Sequence, residues 1–282
     1  MAADRRRVVS VGRDIRLLLS DVDGTLVTHD KILTDAARAA ARELQAAGVD
    51  LALTSSRPPR GMRMLVEPLG LRLPLAGFNG GVLVNPDMSV IETRAIDPHA
   101  AEQVVDLLLG LGLDVWVYTE ADWFVRDPKA AHVAREGWIL QFDPVATPTF
   151  TTEHLARAIK IVGVGDDQAL LAAGEKAACD LLGDRASATR SAAYFLDVTN
   201  PQANKGAVVA TLAGCLNIPP IQIATIGDMP NDVLMFRQSG FSIAMGNASD
   251  EVKAQASAVT DSNEADGFAS AVRKFILPAV AG

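Results

Sequence analysis

The chain has 282 residues, 49% of them hydrophobic, which is enough for one or two substantial apolar cores and favours two domains. Its formal net charge of −8 argues against nucleic acid or an anionic membrane surface as a main partner. Any anionic ligand must therefore be bound by local features of a site rather than by the overall charge.

An apolar run at residues 15–20 leads into the sequence DVDGT at residues 21–25, so a predicted buried strand ends in two carboxylates. Carboxylates in such a position cost desolvation and repulsion unless a cation or a proton compensates them, and we therefore expect a divalent metal. One carboxylate can then stay ionised as a nucleophile while the second carries a proton for a leaving group. A calcium-binding EF-hand loop is excluded, because it needs glycine at its sixth position and glutamate at its twelfth, whereas Gly24 is fourth and Ile32 is twelfth.

The next segments form a predicted βαβ unit, with a helix at residues 34–47 and a buried strand at residues 49–54. Its crossover implies a parallel sheet, in which ligands bind at the carboxyl ends of the strands. Asp21 and Ser55 therefore fall on the same predicted edge. The hydroxyl groups and amides of Ser55 and Ser56 are suited to hold the oxygens of a phosphoryl group there.

Strands at residues 75–78 and 82–84 complete the first core segment, a boundary is expected at the polar turn 85–87, and the pattern of elements changes from about Ile96. Pairs of strands joined by tight turns then predict an inserted α+β domain with an antiparallel sheet. The expected division is a core segment at 1–85, the insertion at 86–199 and a second core segment at 200–282. The insertion is predicted to contain helices at 98–111, 129–140 and 167–182 and strands at 115–119, 123–126, 158–164, 185–189 and 193–199.

In the second core segment, a strand at residues 221–226 runs into Gly227-Asp228, which is another acidic strand end on the same predicted edge. The carboxylates of Asp21 and Asp228 and the backbone carbonyl of Asp23, completed by water and phosphate, suit Mg²⁺. Lys205, at the predicted start of a helix, can neutralise phosphate oxygens and the Asp21 carboxylate. The remaining elements predicted in this segment are helices at 205–216, 230–238, 250–256 and 265–277 and a strand at 241–245.

Taken in chain order, these strand ends resemble the sequence motifs of the haloacid dehalogenase (HAD) superfamily of phosphotransferases. Residues 79–81, Asn-Gly-Gly, and residues 244–253 resemble more narrowly its Cof-type, class IIB branch. The resemblance spans nearly the whole chain and implies an α/β core with a Rossmann-like, doubly wound parallel sheet and an inserted α+β cap domain. It implies Asp21 as the aspartyl nucleophile, Asp23 as the general acid/base, Ser55 as the second-motif hydroxyl, Lys205 as the third-motif lysine, and Asp228 supported by Asn231 and Asp232 as the acidic fourth motif.

The second motif departs from the Cof-type pattern, which often has Thr-Gly-Arg where this chain has Ser55-Ser56-Arg57. Alignment on Arg57 makes Ser55 the phosphate-binding hydroxyl, whereas alignment on the strand end favours Thr54. We adopt Ser55, and we expect the backbone amide of Ser56 to bind phosphate in either case.

The resemblance implies a Mg²⁺-dependent phosphatase of small phosphorylated metabolites, with sugar phosphates the leading class, that works through an aspartyl-phosphate. One alternative is a sugar phosphomutase, since phosphomannomutases share this cap type and pass the phosphoryl group to a sugar hydroxyl. Another is a non-catalytic phospho-acceptor module, because receiver domains also combine a strand-end aspartate, a hydroxyl and a lysine. The inserted domain and Asp23 argue against that module. The expected partner is a small phosphorylated metabolite, without nucleic acid or membrane.

The cap hairpin at residues 115–126 carries several aromatic side chains, and its alternation places Trp116 and Tyr118 on one face. Most of these aromatics are expected to form the cap core. A turn at residues 120–122 could still bring side chains of the second strand over the active site, where they would meet a sugar ring or an anionic group. The candidate substrate contacts are Arg57, Asn79, Trp123 and Arg126.

The two cysteines, Cys179 and Cys215, lie far apart in predicted apolar helices and without metal-ligand spacing. We therefore expect buried free thiols and a reducing compartment. No apolar run reaches the length of a signal segment or a membrane span. The expected location is the cytoplasm.

Overall fold

The computed structural model describes residues 14–280. The first 13 residues of the predicted core segment 1–85 and residues 281–282 of the second segment lie outside this part. The strands are β1 (Leu17–Ser20), β2 (Asp50–Leu53), β3 (Leu75–Gly77), β4 (Val82–Val84), β5 (Val90–Thr93), β6 (Asp114–Tyr118), β7 (Trp123–Val125), β8 (Val145–Ala146), β9 (Lys160–Val164), β10 (Ser187–Ala192), β11 (Phe195–Thr199), β12 (Ile223–Gly227), β13 (Phe241–Ala244) and β14 (Ala258–Val259). The α-helices are α1 (Asp35–Ala46), α2 (Arg63–Leu69), α3 (Pro98–Gly110), α4 (Val133–Leu140), α5 (Thr152–Ala156), α6 (Gln168–Leu182), α7 (Lys205–Leu216), α8 (Val233–Gln238), α9 (Asp250–Lys253), α10 (Gly267–Ala271) and α11 (Leu277–Val280).

The core is a five-stranded parallel sheet in the order β14-β13-β12-β1-β2, with helices on both faces. The alternation of β1 explains the two covered faces. Leu18 packs in an apolar cluster with α1, α2 and α10, while Leu17 and Leu19 pack in a second cluster with α7 and α8. All three leucines are fully buried. This is the doubly wound α/β core that the strand-end motifs predict.

Helix α1 illustrates how the sequence sets an element of this core. The Thr34 hydroxyl accepts a hydrogen bond from the backbone N–H of Ala37 and so caps the first turn. Ala37, Ala41 and Leu44 recur at helical spacing and form the buried face. Gly48, with a φ of +77°, lets the chain turn from the helix into β2.

The inserted cap contains a six-stranded sheet in the order β10-β11-β9-β6-β7-β8, antiparallel except for β7 beside β8. Val115 and Val117 of β6 face α3, α5 and α6 and form an apolar core made of cap residues alone. Trp116 and Tyr118 of the same strand face the other way and join the apolar cluster of the core. The alternation predicted for this hairpin is thereby confirmed.

The cap rests on the core through the face that carries Trp116 and Tyr118. The ring of Tyr118 meets Phe78 of the core edge to face, with 5.6 Å between the ring centroids. The guanidinium of Arg60 lies over the ring of Phe142, 4.5 Å from its centroid. The structure therefore holds the cap against the carboxyl edge of the core sheet.

Several short elements differ from the prediction. β5 pairs with β4 in a three-stranded antiparallel sheet, β3-β4-β5, so the boundary expected at residue 86 falls inside this sheet. We propose that the cap begins after Thr93. All four residues of β5 are exposed, and a strand without a buried face shows no alternation in its sequence.

The short elements α2, α5, β8 and β14 were also missed, and α4 begins at Val133 rather than at residue 129.

Cys179 on α6 and Cys215 on α7 are both free, as predicted, but both are exposed. The expectation that they are buried was wrong. Helix α7 is apolar around most of its circumference, so its sequence does not show which side faces solvent. Across residues 14–280, no helix combines the length and apolar character needed to cross a membrane.

Candidate active site

The carboxyl ends of the neighbouring strands β1 and β12 bring Asp21 and Asp228 to one edge of the core sheet. The backbone N–H of Asp21 donates to the carbonyl of Ile226 at 3.0 Å, which continues the pairing of the two strands into the site. Asp21 is 4% exposed and Asp228 is 8% exposed. One carboxylate oxygen from each of Asp21, Asp228 and Asp232 lies within 4.8 Å of the other two. The sequence prediction that two acidic strand ends meet is confirmed.

Lys205, the first residue of α7, places its ammonium group between two of these carboxylates. Its Nζ is 2.6 Å from Oδ1 of Asp21 and 2.5 Å from Oδ1 of Asp232. The other oxygen of Asp232 accepts hydrogen bonds from the backbone N–H groups of Asp228, at 2.9 Å, and Met229, at 2.8 Å. Asp232 thus accepts hydrogen bonds from three protein donors, against two for Asp228 and one for Asp21, so Asp21 and Asp228 have the most capacity left to bind a ligand.

Three buried carboxylates around one ammonium leave an excess of negative charge. Burial raises the pKa of Asp21 well above its usual value; the ammonium of Lys205 opposes this rise, and the charges of Asp232 and Asp228 add to it. Burial and the charge of Asp232 raise the pKa of Asp228 to about 6. The Thr25 hydroxyl donates to Oδ1 of Asp228 at 2.9 Å and leaves it further acceptor capacity. These residues fit a divalent metal ion, which would supply the missing positive charge.

Gly24 gives the strand-end loop the room it needs beside Asp228. Its φ is +78°, and a Cβ at this position would lie 2.4 Å from Oδ2 of Asp228. The side-chain amide of Asn247 donates to the Gly24 carbonyl at 2.9 Å and to Oδ2 of Asp228 at 3.2 Å. The loop after β1 is therefore held directly against the carboxylate of the neighbouring strand.

Asp23 is held in a two-point ion pair. Arg57 donates from Nε to Oδ2 and from Nη2 to Oδ1, both at 2.7 Å, and the Nζ of Lys31 is 2.7 Å from Oδ1. Burial alone would raise the pKa of Asp23, but the hydrogen bonds and charges of Arg57 and Lys31 outweigh it and lower the pKa to about 2. Asp23 is therefore ionised in this arrangement, and Arg57 and Lys31 oppose its protonation.

Arg57 also links the core to the cap. Its Nη1 donates to the carbonyl of Gly61 at 3.2 Å and to that of Ile139, in α4 of the cap, at 3.4 Å. The side chain is only 5% exposed. The residue that pairs with Asp23 thus touches the cap at the same time.

The hydroxyl-bearing residues of the second motif, Thr54, Ser55 and Ser56, directly precede Arg57 in the sequence. The backbone N–H of Arg57 donates to Oγ of Ser55 at 3.1 Å, while Ser56 is half-buried. Oγ1 of Thr54 is buried and has no hydrogen-bond partner among the described residues. The choice between Ser55 and Thr54 as the phosphate-binding hydroxyl stays a prediction.

Asn79 and Asn231 meet across the site, since Nδ2 of Asn231 donates to Oδ1 of Asn79 at 3.1 Å. Asn79 adopts a φ of +57° in the tight turn after β3, which aims its side chain toward the fourth motif. The structure therefore brings together two residues that were predicted separately, one as a substrate contact and one as a support of the metal site.

The two cap residues proposed as substrate contacts do not reach the site as expected. Trp123 is fully buried and stacks on Tyr118, with ring centroids 5.7 Å apart. Arg126 is exposed. It follows Val125, which pairs with Trp116, so it lies at the end of β7 far from Tyr118, the residue that contacts Phe78 of the core. Its position in the alternation also sends it to the opposite face from Trp123. Arg126 therefore does not lie over the active site as expected, because the sequence does not show which face of the hairpin meets the core.

Three residues in direct contact with the site were not predicted as site residues: Thr25, Lys31 and Asn247. Thr25 belongs to the DVDGT sequence, and Asn247 belongs to the segment that carried the class IIB resemblance. Both therefore lie in motifs that the sequence analysis identified, but neither was given a role in the site. Lys31 lies in a polar loop with no periodic pattern, and its ion pair with Asp23 depends on the path of that loop.

Comparison with known proteins gives a consistent result. Residues 18–272 match the family described as haloacid dehalogenase-like hydrolases. The chain is 26% identical over 265 residues to the 5-amino-6-(5-phospho-D-ribitylamino)uracil phosphatase YcsE of Bacillus subtilis, which covers 94% of this chain and 97% of that protein. It is 28% identical over 240 residues to the HMP-PP phosphatase of Cronobacter sakazakii, with 85% and 87% covered.

Solved structures show the same fold. A haloacid dehalogenase-like hydrolase from Bacteroides thetaiotaomicron has a TM-score of 0.86 at 25% identity, with 93% of this chain and 100% of that chain covered. A subclass IIB sugar phosphatase of the HAD superfamily has a TM-score of 0.80 at 22% identity, with 93% and 99% covered. Both matches cover core and cap, so the predicted combination of a Rossmann-like core with a class IIB cap is confirmed.

Replacing Gly24 with alanine should abolish metal binding, because the added methyl group would collide with the Asp228 carboxylate. Gly48→Ala is the matched control: its φ of +77° is nearly the same, but no atom lies within 4 Å of a Cβ there. Both variants incur the strain of a left-handed alanine, about 1 to 2 kcal/mol, so both should unfold at a lower temperature. Calorimetric titration with Mg²⁺ should detect binding by Gly48→Ala and none by Gly24→Ala. Equal binding by the two would contradict a metal site beside Asp228.

Metal affinity should fall as the pH drops below about 6, because the carboxyl groups of Asp21 and Asp228 have raised pKa values and must lose their protons to bind a cation. Between about pH 7.5 and about pH 5 we expect roughly a tenfold or greater loss of the Mg²⁺ association constant. Calorimetry at both pH values measures the loss, and circular dichroism checks that the fold is retained. An unchanged association constant in the folded protein would show that these carboxyl groups do not bind the metal.

Proposed function

The chain belongs to the haloacid dehalogenase-like hydrolases and is a phosphatase, and we propose that it hydrolyses small phosphorylated metabolites, chiefly sugar phosphates, through an aspartyl-phosphate on Asp21. The observation that carries this proposal is the arrangement at the ends of β1 and β12. A buried carboxylate, Asp21, contacts Lys205 and lies beside Asp228. Asp23 follows two residues later on the same loop.

In the proposed first step, one oxygen of Asp21 attacks phosphorus while the other stays hydrogen-bonded to Lys205. The bond from Asp21 to phosphorus forms as the bond from phosphorus to the alcohol oxygen breaks, and Asp23 gives that oxygen its proton. In the second step Asp23 takes a proton from water, which attacks the same phosphorus and releases Asp21 and inorganic phosphate.

We propose Mg²⁺ as the metal, held by the carboxylates of Asp21 and Asp228 and by the backbone carbonyl of Asp23. When bound, it supplies positive charge beside the phosphoryl oxygens. Two neighbouring residues support this arrangement without binding the metal. Asp232 accepts two backbone hydrogen bonds from the turn that carries Asp228, and Asn231 donates to Asn79.

The phosphoryl oxygens are proposed to be held by Lys205, the hydroxyl of Ser55 and the backbone amide of Ser56. The buried ammonium of Lys205 stays charged: although burial opposes it, the two neighbouring carboxylates raise its pKa. A fixed positive charge at this position stabilises the charge that builds up on phosphoryl oxygens during transfer.

The ion pair with Arg57 must loosen for either proton transfer at Asp23. While Arg57 and Lys31 hold its pKa at about 2, Asp23 is ionised but a weak base, so they must also withdraw before it takes a proton from water in the second step. To act as the acid in the first step it must be protonated, which requires that Arg57 and Lys31 release it. Because Arg57 also bonds to the carbonyl of Ile139 in the cap, we propose that movement of the cap governs this release.

The alternatives raised by the sequence differ from this proposal in one step each. A sugar phosphomutase would pass the phosphoryl group from Asp21 to a sugar hydroxyl instead of water, and the named relatives reported above are phosphatases. A non-catalytic phospho-acceptor would need no group placed like Asp23.

The two free cysteines support the proposal that the enzyme works in the reducing cytoplasm on a small phosphorylated metabolite.

Asp21→Asn should lower kcat for p-nitrophenyl phosphate by at least about a thousandfold, because an amide oxygen is a poor nucleophile, while the fold is retained. Asp50→Asn is the control: Asp50 lies on β2 at the end opposite to the site, in register with Leu17. Acid quench of the wild type during turnover, followed by intact mass measurement, should show one covalent phosphoryl group. Substantial turnover by a clean preparation of Asp21→Asn would rule out the covalent route.

Asp23→Asn should discriminate between leaving groups. An alkoxide needs a proton to leave, whereas p-nitrophenolate leaves unaided, so kcat/KM should fall by about a hundredfold or more for alkyl phosphates and far less for p-nitrophenyl phosphate. The ratio kcat/KM reports only the steps up to release of the alcohol, which separates the acid role from the later base role. Asp30→Asn, an exposed acid in the same loop, is the control. Equal losses for both substrate types would show that Asp23 only orders Arg57.

A further inference from the structure

Four polar side chains of the cap face the core and have no part in the phosphoryl chemistry: Tyr118 on β6, Glu136 on α4, Lys160 on β9 and Asp197 on β11. Strand alternation places the three strand residues there, and Glu136 contacts Tyr118 from α4. Lys160 shares its face with Val162 and Val164, which belong to the apolar cluster of the core, and Tyr118 lies opposite Lys160 in the pairing of β6 with β9. Asp197 shares the face of Phe195, which packs against the same cluster.

The contacts within this group, which we call the cap polar cluster, leave hydrogen-bonding capacity unused. Nζ of Lys160 is 2.5 Å from Oδ2 of Asp197, in a buried ion pair. Oδ1 of Asp197 is buried and has no hydrogen-bond partner among the described residues, although the residue is only 7% exposed. The hydroxyl of Tyr118 donates to Oε1 of Glu136 at 3.5 Å. A buried carboxylate oxygen without a donor is costly, so the cluster lacks a ligand that donates hydrogen bonds.

The cap polar cluster lies on the side of the site where the leaving group of the substrate must be. Tyr118 packs against Phe78, the residue before Asn79. Arg57, which pairs with Asp23, also donates to the carbonyl of Ile139, in the helix α4 that carries Glu136, so this helix lies next to the proposed general acid. Since Asp23 gives its proton to the alcohol oxygen, whatever is attached to that oxygen extends toward the cluster.

We propose that Tyr118, Glu136, Lys160 and Asp197 form a hydroxyl-binding site for the leaving group, so that the preferred substrates are phosphate esters of uncharged polyhydroxylated alcohols such as sugars and alditols. This inference rests on the proposed phosphatase function of Asp21 and Asp23. Sugar and alditol hydroxyls donate to carboxylate oxygens, including the free Oδ1 of Asp197, and accept from Tyr118 and Lys160.

The charge of the cap polar cluster excludes a second class of substrate. It contains two carboxyl groups and one ammonium, and that ammonium is already paired with Asp197. No cation in the cluster is therefore free for a second phosphate or a carboxylate on the leaving group. Such an anionic group would face Asp197 and Glu136 at close range in a buried site, where like charges repel strongly. The cluster therefore selects against esters of anionic alcohols.

The test compares sorbitol 6-phosphate with n-hexyl phosphate, which has the same chain length but no free hydroxyl. Both esters release an alkoxide that needs a proton from Asp23. The wild type should have a kcat/KM at least about tenfold higher for sorbitol 6-phosphate than for n-hexyl phosphate or for the anionic phosphoglycolate. Asp197→Asn should remove most of the preference over n-hexyl phosphate, because it should lower kcat/KM for sorbitol 6-phosphate several times more than kcat/KM for n-hexyl phosphate. Asp180→Asn is the matched control, since Asp180 forms a 2.5 Å pair with Lys176 on the exposed side of cap helix α6.

Because Asp197→Asn leaves Lys160 buried with a weaker partner, the double variant Lys160→Met, Asp197→Leu is tested beside it, with thermal unfolding as the check on folding. Both variants should lose the preference for sorbitol 6-phosphate. Parallel losses for sorbitol 6-phosphate and n-hexyl phosphate, or unchanged values for both, would show that the cluster is only structural. A wild type that prefers phosphoglycolate or n-hexyl phosphate would overturn the inference and leave the phosphatase proposal intact. No turnover of any ester, including p-nitrophenyl phosphate, would overturn both.

Discussion

The buried ammonium of Lys205 is the interaction on which the rest of the site depends. It joins the end of β1, through Asp21, to the turn after β12, through Asp232, and it does so from the first residue of α7. Removing one partner of such a buried ion pair typically costs about 3 to 5 kcal/mol, because the remaining charge has no compensation. The same contact fixes one oxygen of Asp21 and leaves the other free. Stability and the orientation of the nucleophile therefore come from one contact.

The part of the site that could be predicted from the sequence is the part set by sheet geometry. Parallel strands present their carboxyl ends on a single edge, so acids that follow two apolar strands must meet there, and Asp21 and Asp228 do. Asp232 was placed by resemblance, whereas the contact of Lys205 with Asp21 was also expected from its position at the start of a helix. The contact of Lys205 with Asp232 depends on the angle at which α7 meets the sheet, and a single sequence does not contain that angle.

The cap was less predictable, for a physical reason. Its central strands β6, β9 and β11 are largely buried on both faces and carry mostly apolar or aromatic side chains, so the sequence does not distinguish the face that meets the cap helices from the face that meets the core. Arg126 was placed on the wrong side for this reason. Lys160 and Asp197 lie on different strands, 37 positions apart in the chain, so only the tertiary structure shows that they form a pair.

The positions of the two cysteines have a practical consequence. Cys179 lies on cap helix α6 and Cys215 lies on core helix α7, the helix that begins with Lys205, and both thiols are exposed. The natural sequence contains no other cysteine. A pair of thiol-reactive fluorophores or spin labels on the unmodified protein would therefore report the distance between cap and core directly. The proposed movement of the cap relative to the core can be tested in this way without introducing a single substitution.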